Sequence, residues 1–466
     1  MLIGIQNLRK RLQGVILNKG EQGYQIDGLE KKLATLPDSY DSLIDFTKTL
    51  SDLPVRSDWQ YVEPNDIAEI RSESDPNRSL SPIKTISLED SSKRVEAAFL
   101  GSISGCILGK PLEASFTGGE IRSALKNINE WPMEYYVSEK IKNHLPRVHN
   151  SFSETVRERI QYVAPDDDIN YTIMGMLILE KFGPEFTHSN IEELWLHHLP
   201  INTTFGPERT MLIKSGLDSL NFFSLASFLE KGGVGPSNTH KIKHNDTLVN
   251  VLNDTLNPGD ELCGAAIRAD AYGYAYPGNP AMAAKLAWKD ASFTHNRTGI
   301  YGTMFIAAAI ACAQVLDDRM EIFDTALQYV PQRSRFYERV SACISFINQS
   351  DNWEDAYNLI NNKFGEYGHC RIYQEIGMLV NTLKFAKDVG NGICIQVSQG
   401  ADTDSFGATA GSLLGAYFGP GYLDSKWIDP FNDDIHSGLA WFFERSIKKL
   451  SQRMGTLPIK MSQINL

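Results

Sequence analysis

Two short acidic runs carry most of the chemistry that can be read from this chain. The first is PDDDINYT, which sets Asp166, Asp167 and Asp168 side by side, and the second is SQGADTDSFGA, with Asp402, Asp404 and Ser405. Each run immediately precedes small or apolar residues at helical spacing, so one carboxylate in each is accounted for as a helix N-cap. A cap needs only one. Further carboxylates packed beside it repel one another unless solvent or a cation relieves them. Hard cations such as magnesium take several oxygen ligands, and a pair of them needs carboxylates converging from more than one segment. The two runs meet that demand if the fold brings them together. A third element, GSISGCILGKPLE, is a glycine-punctuated helix ending in Glu113. Taken alone, Glu113 reads as an ordinary surface carboxylate.

The elements that must position these groups read almost entirely as helix. From Ser91 to about Lys449 the periodic segments include SSKRVEAAFLGSISGCILG, NYTIMGMLILEKFG, PAMAAKLAWKDASFTH, IYGTMFIAAAIACAQVL, IYQEIGMLVNTLKFAKD and DSFGATAGSLLGAYFG. Alternating runs rich in Val, Ile and Thr are nearly absent, which predicts an all-α fold. Small residues crowd several helices, as at Ala307, Ala308, Ala309 and Ala311 or Gly407, Ala408, Ala410 and Gly411, and allow close helix approach. Residues 1–90 have a different texture, polar and punctuated by Pro54, Pro64, Pro76 and Pro82. They are read as an extension, with two short helices predicted over residues 28–50, followed by a catalytic domain over 91–450 and a C-terminal tail over 451–466.

Composition narrows the partners. The formal charge of -12 leaves no basic field for nucleic acid or an anionic bilayer, although a small phosphate ligand can still bind at a metal pair or a helix N-terminus. The six cysteines form no CxxC pair, so they read as reduced, partly buried thiols rather than a zinc knuckle or disulfide framework. The N-terminus lacks the pattern of a secretory signal, and the apolar run Met304–Ala313 is too short to cross a bilayer. A cytoplasmic location is the default expectation.

Taken in order, GCILGKPLE, DDDINYT and GADTDSFGATAGSLLGA resemble the motifs of the ADP-ribosylglycohydrolase family, whose pattern reads approximately GDALGxxxE, TDDTxMT and GGDTDTxxAxxGAxxGA. Between them, ELCGAAIRADAYGYAYPGNPAMAAKLAWKDASFTH is similar to the family's NGAxMR stretch and the helix that follows it, so the likeness runs from about residue 95 to 420. The resemblance implies an all-α orthogonal helical bundle and a centre of two magnesium ions, with manganese as an alternative. It implies Asp166, Asp167, Asp168, Asp402, Asp404 and Ser405 as metal ligands, and Glu113 and Asp167 as catalytic groups near the scissile bond. Gly264 and His295 fall at positions near the ADP-ribose phosphates, with Cys263 and Tyr301 as further ligand neighbours. Three departures stand out. Asp166 replaces a usual metal-binding threonine, which bears on metal affinity and could shift preference toward manganese or calcium. Ser405 replaces a threonine but keeps its hydroxyl, and Cys263 stands where many relatives have asparagine.

The implied chemistry is hydrolysis at the anomeric carbon of ADP-ribose, with a modified arginine or serine side chain as leaving group. Two rival readings remain. One is an idle binder of ADP-ribose or an NAD metabolite that has lost turnover. The other is a docking or immunity protein acting through residues 1–90, whose simpler role is to brace the catalytic bundle.

Overall fold

The computed structural model describes residues 4–113, 115–222 and 256–464. Helices build the fold, and among the described residues no strand forms. Extended pairing is confined to isolated bridges such as Thr117 with Gly400. The all-α reading of the sequence is therefore what the chain adopts.

One helix pair organises the centre. Leu88–Gly109, capped by the Ser87 hydroxyl accepting from the Asp90 amide, lies antiparallel against Thr403–Phe418. The contact is backbone to backbone. A β-carbon at Gly101 would overlap the carbonyl of Gly411, one at Gly105 the carbonyl of Gly407, and one at Gly109 the carbonyl of Thr403. Glycine is required here because any side chain would push the axes apart. The Thr403 hydroxyl donates to the Gly109 carbonyl at 2.8 Å and fixes the register. As a consequence, the C-terminal end of the first helix and the N-terminal end of the second share one location. The small-residue helix Thr298–Ala313 is buried on every side, as expected of an element apolar all round.

The predicted helix over PAMAAKLAWKDASFTH is shorter than its spacing suggests. It spans Pro280–Ala291, and the chain then turns so that the Thr294 hydroxyl accepts from Arg268 Nη2 at 2.8 Å. A tertiary partner ends the helix where local periodicity alone would continue it.

Residues 28–50 form two short helices, Leu29–Thr35 and Tyr40–Ser51, as their spacing predicts. A longer helix, Ile5–Glu21, precedes them, and the three enclose a small separate core of Leu8, Leu12, Ile16, Leu33, Leu43, Phe46 and Leu50. This unit is tied to the main bundle by buried polar contacts. Asp260 accepts from Asn18 Nδ2 at 2.6 Å and Gln22 Nε2 at 2.9 Å. Arg335, itself buried, pairs with Glu63 at 2.7 Å and Glu261 at 2.6 Å and donates to the Glu21 carbonyl. At the other end, Ile447–Gly455 and Leu457–Ile464 bury Leu450, Met454, Leu457 and Met461 in the main core. The segment Leu88–Leu112 is apolar and long enough to cross a membrane, but 83% of its most apolar window lies inside the fold.

Candidate active site

The antiparallel helix pair delivers Lys110 and Glu113 from one side and Asp402, Asp404 and Ser405 from the other. The helix Asp167–Phe182 brings the third contribution. Its N-cap, Asp166, accepts from the Asp168 amide at 3.0 Å through one carboxylate oxygen. The other oxygen turns inward. Lys110 Nζ lies 2.6 Å from it, 2.7 Å from Asp404 Oδ2 and 2.6 Å from Glu113 Oε2. Three segments distant in sequence thus converge on one ammonium group. Ser405 Oγ donates to Asp168 Oδ2 at 3.4 Å, closing the contact between the two acidic runs. Asp402 caps Thr403–Phe418 without accepting a side-chain capping bond; instead its Oδ2 accepts from Cys263 Sγ at 3.1 Å and Cys370 Sγ at 3.4 Å.

The electrostatics follow from crowding out of water. Asp166, Asp168, Asp402 and Asp404 are all buried, whereas Glu113 and Asp167 keep partial exposure. Burial, with the neighbouring Asp166 charge added, raises the Asp168 carboxyl well above the usual carboxylate range. Burial and the Asp404 charge likewise push Asp402 up to about 6 and hold the Glu113 carboxyl far above its ordinary value. Asp404 goes the other way. Burial opposes its ionisation, but the Lys110 ammonium against it more than compensates and keeps it an anion. His149 Nε2 stands 3.4 Å from Glu113 Oε2 at the open side, with its own basicity lowered by burial and by Lys110.

Three carboxyl groups share one ammonium, and among the described residues one oxygen each of Asp168 and Asp404 is buried with no hydrogen-bond partner. Unsatisfied buried carboxylate oxygens are the kind of donor that a hard divalent cation takes, and they are costly otherwise. The residues fit a metal centre on that ground. Asp166, at the threonine-to-aspartate departure, is where the extra charge is matched: its inward oxygen sits against Lys110.

The candidate ligand-contact residues separate. Cys263 touches Asp402 and belongs to the centre. Gly264 and His295 gather around a buried ion-pair network instead. Arg268 pairs with Glu208 at 2.5 Å and with Asp290, a β-carbon on Gly264 would press on the Glu208 carboxylate, and His295 Nδ1 lies 2.7 Å from the Thr294 hydroxyl and 3.6 Å from Glu208. His295 is fully enclosed, and burial, reinforced by Arg268, lowers its basicity well below the ordinary value. Tyr301 is also enclosed, and its hydroxyl donates to the Pro64 carbonyl at 2.5 Å, so it holds the N-terminal unit in place. A surface cleft of about 600 Å³ lined by residues such as Met133, Lys387, Tyr422 and Trp427 lies apart from all of these groups.

Four residues of this neighbourhood are not singled out as site residues from the sequence. Lys110 sits within the GKPLE motif, but lysine is ordinarily solvated, so nothing local marks it as buried. Glu375 carried a usable signal: it is a lone carboxylate in the apolar helix Ile372–Phe385, and its Oε1 accepts from the amides of Cys370 at 3.0 Å and Asp402 at 3.2 Å. His369 and Cys370 come from the loop before that helix and had no signal.

The sequence pattern that defines the ADP-ribosylglycohydrolase family matches residues 87–454. The chain belongs to the ADP-ribosylglycohydrolase family. The matched span begins at the cap of Leu88–Gly109 and takes in every residue of the acidic centre, so a glycohydrolase type of chemistry acting on ADP-ribosylated substrates goes with membership. A solved structure described as an ADP-ribosylglycohydrolase-related protein complex is similar at 15% identity, covering 81% of this chain and 100% of that one with a TM-score of 0.45. Among curated protein sequences none matches this chain.

Proposed function

We propose that this protein is a metal-dependent hydrolase that cleaves the glycosidic bond between ADP-ribose and an acceptor, with a modified arginine or serine side chain as the acceptor class. The observation that carries the reading is the convergence of Asp166, Asp404 and Glu113 on Lys110, with Asp168 joined through Ser405 and carboxylate oxygens of Asp168 and Asp404 left unsatisfied. Asp166, Asp167, Asp168, Asp402, Asp404 and Ser405 would hold two magnesium or manganese ions. Bound there, divalent ions would supply Lewis-acid polarisation of ribose hydroxyls and a water of lowered pKa.

The chain's own residues do the rest. Glu113 is the most open carboxyl of the Lys110 cluster, with 28% of its side chain exposed against 1% for Asp166 and 2% for Asp404. It is the group placed to exchange a proton with a water or a departing side chain at the anomeric carbon. Lys110 orients Glu113 and fixes it relative to Asp404, which is held anionic to stabilise positive charge on the sugar. The unpaired thiols fit a reducing compartment such as the cytoplasm.

The test is release of free ADP-ribose from ADP-ribosyl-arginine and ADP-ribosyl-serine peptides, with magnesium or with EDTA, for wild type, Asp402→Ala and Glu113→Gln. Metal-dependent release abolished in both variants is expected. Binding of ADP-ribose without release from either peptide would replace the hydrolase with the idle binder.

A further inference from the structure

One oxygen of Asp402, Oδ2, meets a set of side chains of different chemical character. Cys263 Sγ, Cys370 Sγ and an Asp402 oxygen all lie within 4.8 Å of one another, and so do ligating atoms of His369, Glu375 and Asp402. Two thiols and an imidazole are soft or borderline ligands, unlike the carboxylates that dominate the neighbouring acidic centre. The sulfur-to-oxygen separations of 3.1 and 3.4 Å are close to the spacing between ligands of a four-coordinate zinc ion, whose bonds to sulfur and oxygen are about 2.3 and 2.0 Å. Cys263 and Cys370 are also held together through the backbone, the Cys263 amide donating to the Cys370 carbonyl at 3.2 Å.

A second observation points to a ligand. Glu375 is 1% exposed, and while its Oε1 fixes the amides of Cys370 and Asp402, its Oε2 has no hydrogen-bond partner among the described residues. His369 Nδ1 is in the same condition. A buried carboxylate oxygen and an imidazole nitrogen without partners, next to two thiols, are costly groups that a cation would satisfy. Cys370 and His369 are partly exposed, so the cluster is reachable from solvent while Cys263, Asp402 and Glu375 are enclosed.

We propose that Cys263, Cys370 and Asp402, completed by His369, form a binding site for a thiophilic divalent cation of the zinc class, adjoining the oxygen-lined centre and sharing Asp402 with it. Glu375 is the positioning residue, holding both the Cys370 and Asp402 backbones. Without such an ion the two thiols are protonated and donate to Asp402; on binding, two protons leave the sulfurs as two metal–thiolate bonds form, with no change of oxidation state. Because Asp402 serves both sides, occupancy of the thiol site withdraws it from the oxygen-lined centre. A zinc-class ion therefore competes with magnesium through that one carboxylate. The site stands on the thiol geometry and is independent of whether the chain is a hydrolase.

Titration of the full chain with cadmium chloride under a phosphine reductant tests this, reading the ultraviolet charge-transfer band that only sulfur ligation produces. One equivalent with a two-thiolate band is expected for wild type. Cys263→Ser and Cys370→Ser should each cut the band by about half and weaken affinity by more than about tenfold, since losing even an outer-shell partner of a metal ligand costs about 10–100-fold. Cys106→Ala should leave it unchanged; that control is needed because Cys106 lies within 4.8 Å of ligating oxygens of Asp166 and Asp168. Absence of a band in wild type, or a band lost only in Cys106→Ala, would overturn the proposal, and the wild-type measurement decides this even if a variant fails to fold.

Discussion

Replacing Lys110 by methionine isolates the electrostatic core of the centre. Methionine keeps the stem volume and removes only the ammonium, which leaves the inward oxygens of Asp166 and Asp404 facing each other with side chains 1% and 2% exposed. Removing one partner of a buried ion pair costs about 3–5 kcal/mol, because the remaining charge stays desolvated. Glu113 is more open, so its share is screened by solvent and adds little. For 466 residues an unfolding entropy of about 2.1 cal/mol/K per residue gives about 1 kcal/mol/K, so the variant should melt about 3–5 °C lower in EDTA. With saturating manganese the gap should narrow. The freed carboxylates become metal ligands, so the rise in Tm between EDTA and manganese should be larger in Lys110→Met than in wild type. Differential scanning calorimetry of both proteins, with and without metal, gives the four numbers required. Equal melting in EDTA, or a metal-induced rise no larger than that of wild type, would refute the assignment of Lys110 as the cation that holds the acidic centre together.

Other outcomes follow from particular contacts. Gly105→Ala forces a β-carbon onto the Gly407 carbonyl and should destabilise the chain by about 3 kcal/mol or more, read as a shift of the urea midpoint; a change under about 1 kcal/mol would mean the helix pair can separate freely. Asp270 is fully enclosed, and burial pushes its carboxyl up to about 7, with the Ser412 and Tyr274 hydroxyls only partly offsetting this. Between its unfolded value near 4 and about 7 the folded state keeps a proton that the unfolded state has lost, so this group makes stability fall as pH rises across that window. Asp270→Asn should remove that part of the slope; an unchanged slope from pH 5 to 7 argues against it. Arg335→Met breaks the pairs to Glu63 and Glu261, and limited proteolysis should then cut between residues 52 and 66 faster than in wild type.

The sequence by itself determined the fold class and singled out the acidic residues that the fold gathers. Helical period is local, and the carboxylates are too many for capping, so PDDDINYT and GADTDSFGA could be singled out without coordinates. The glycines of GSISGCILG and DSFGATAGSLLG announced close packing in the same way, since their purpose is to bring two backbones together. Tertiary structure alone decided what the acidic groups face. Lys110 looks like a solvated lysine in its motif and becomes buried only because the Gly101, Gly105 and Gly109 ridge seats its helix against Thr403–Phe418. His295 and Tyr301 carry the right residue types for ligand contact, yet one lies beside the Arg268–Glu208 pair and the other holds Pro64. Cys370 and His369 reach Asp402 through a loop whose position no periodicity encodes, and Glu375 reaches it from the start of the helix that follows. Burial and charge pairing are sums over distant segments, and a chain read one window at a time does not contain them.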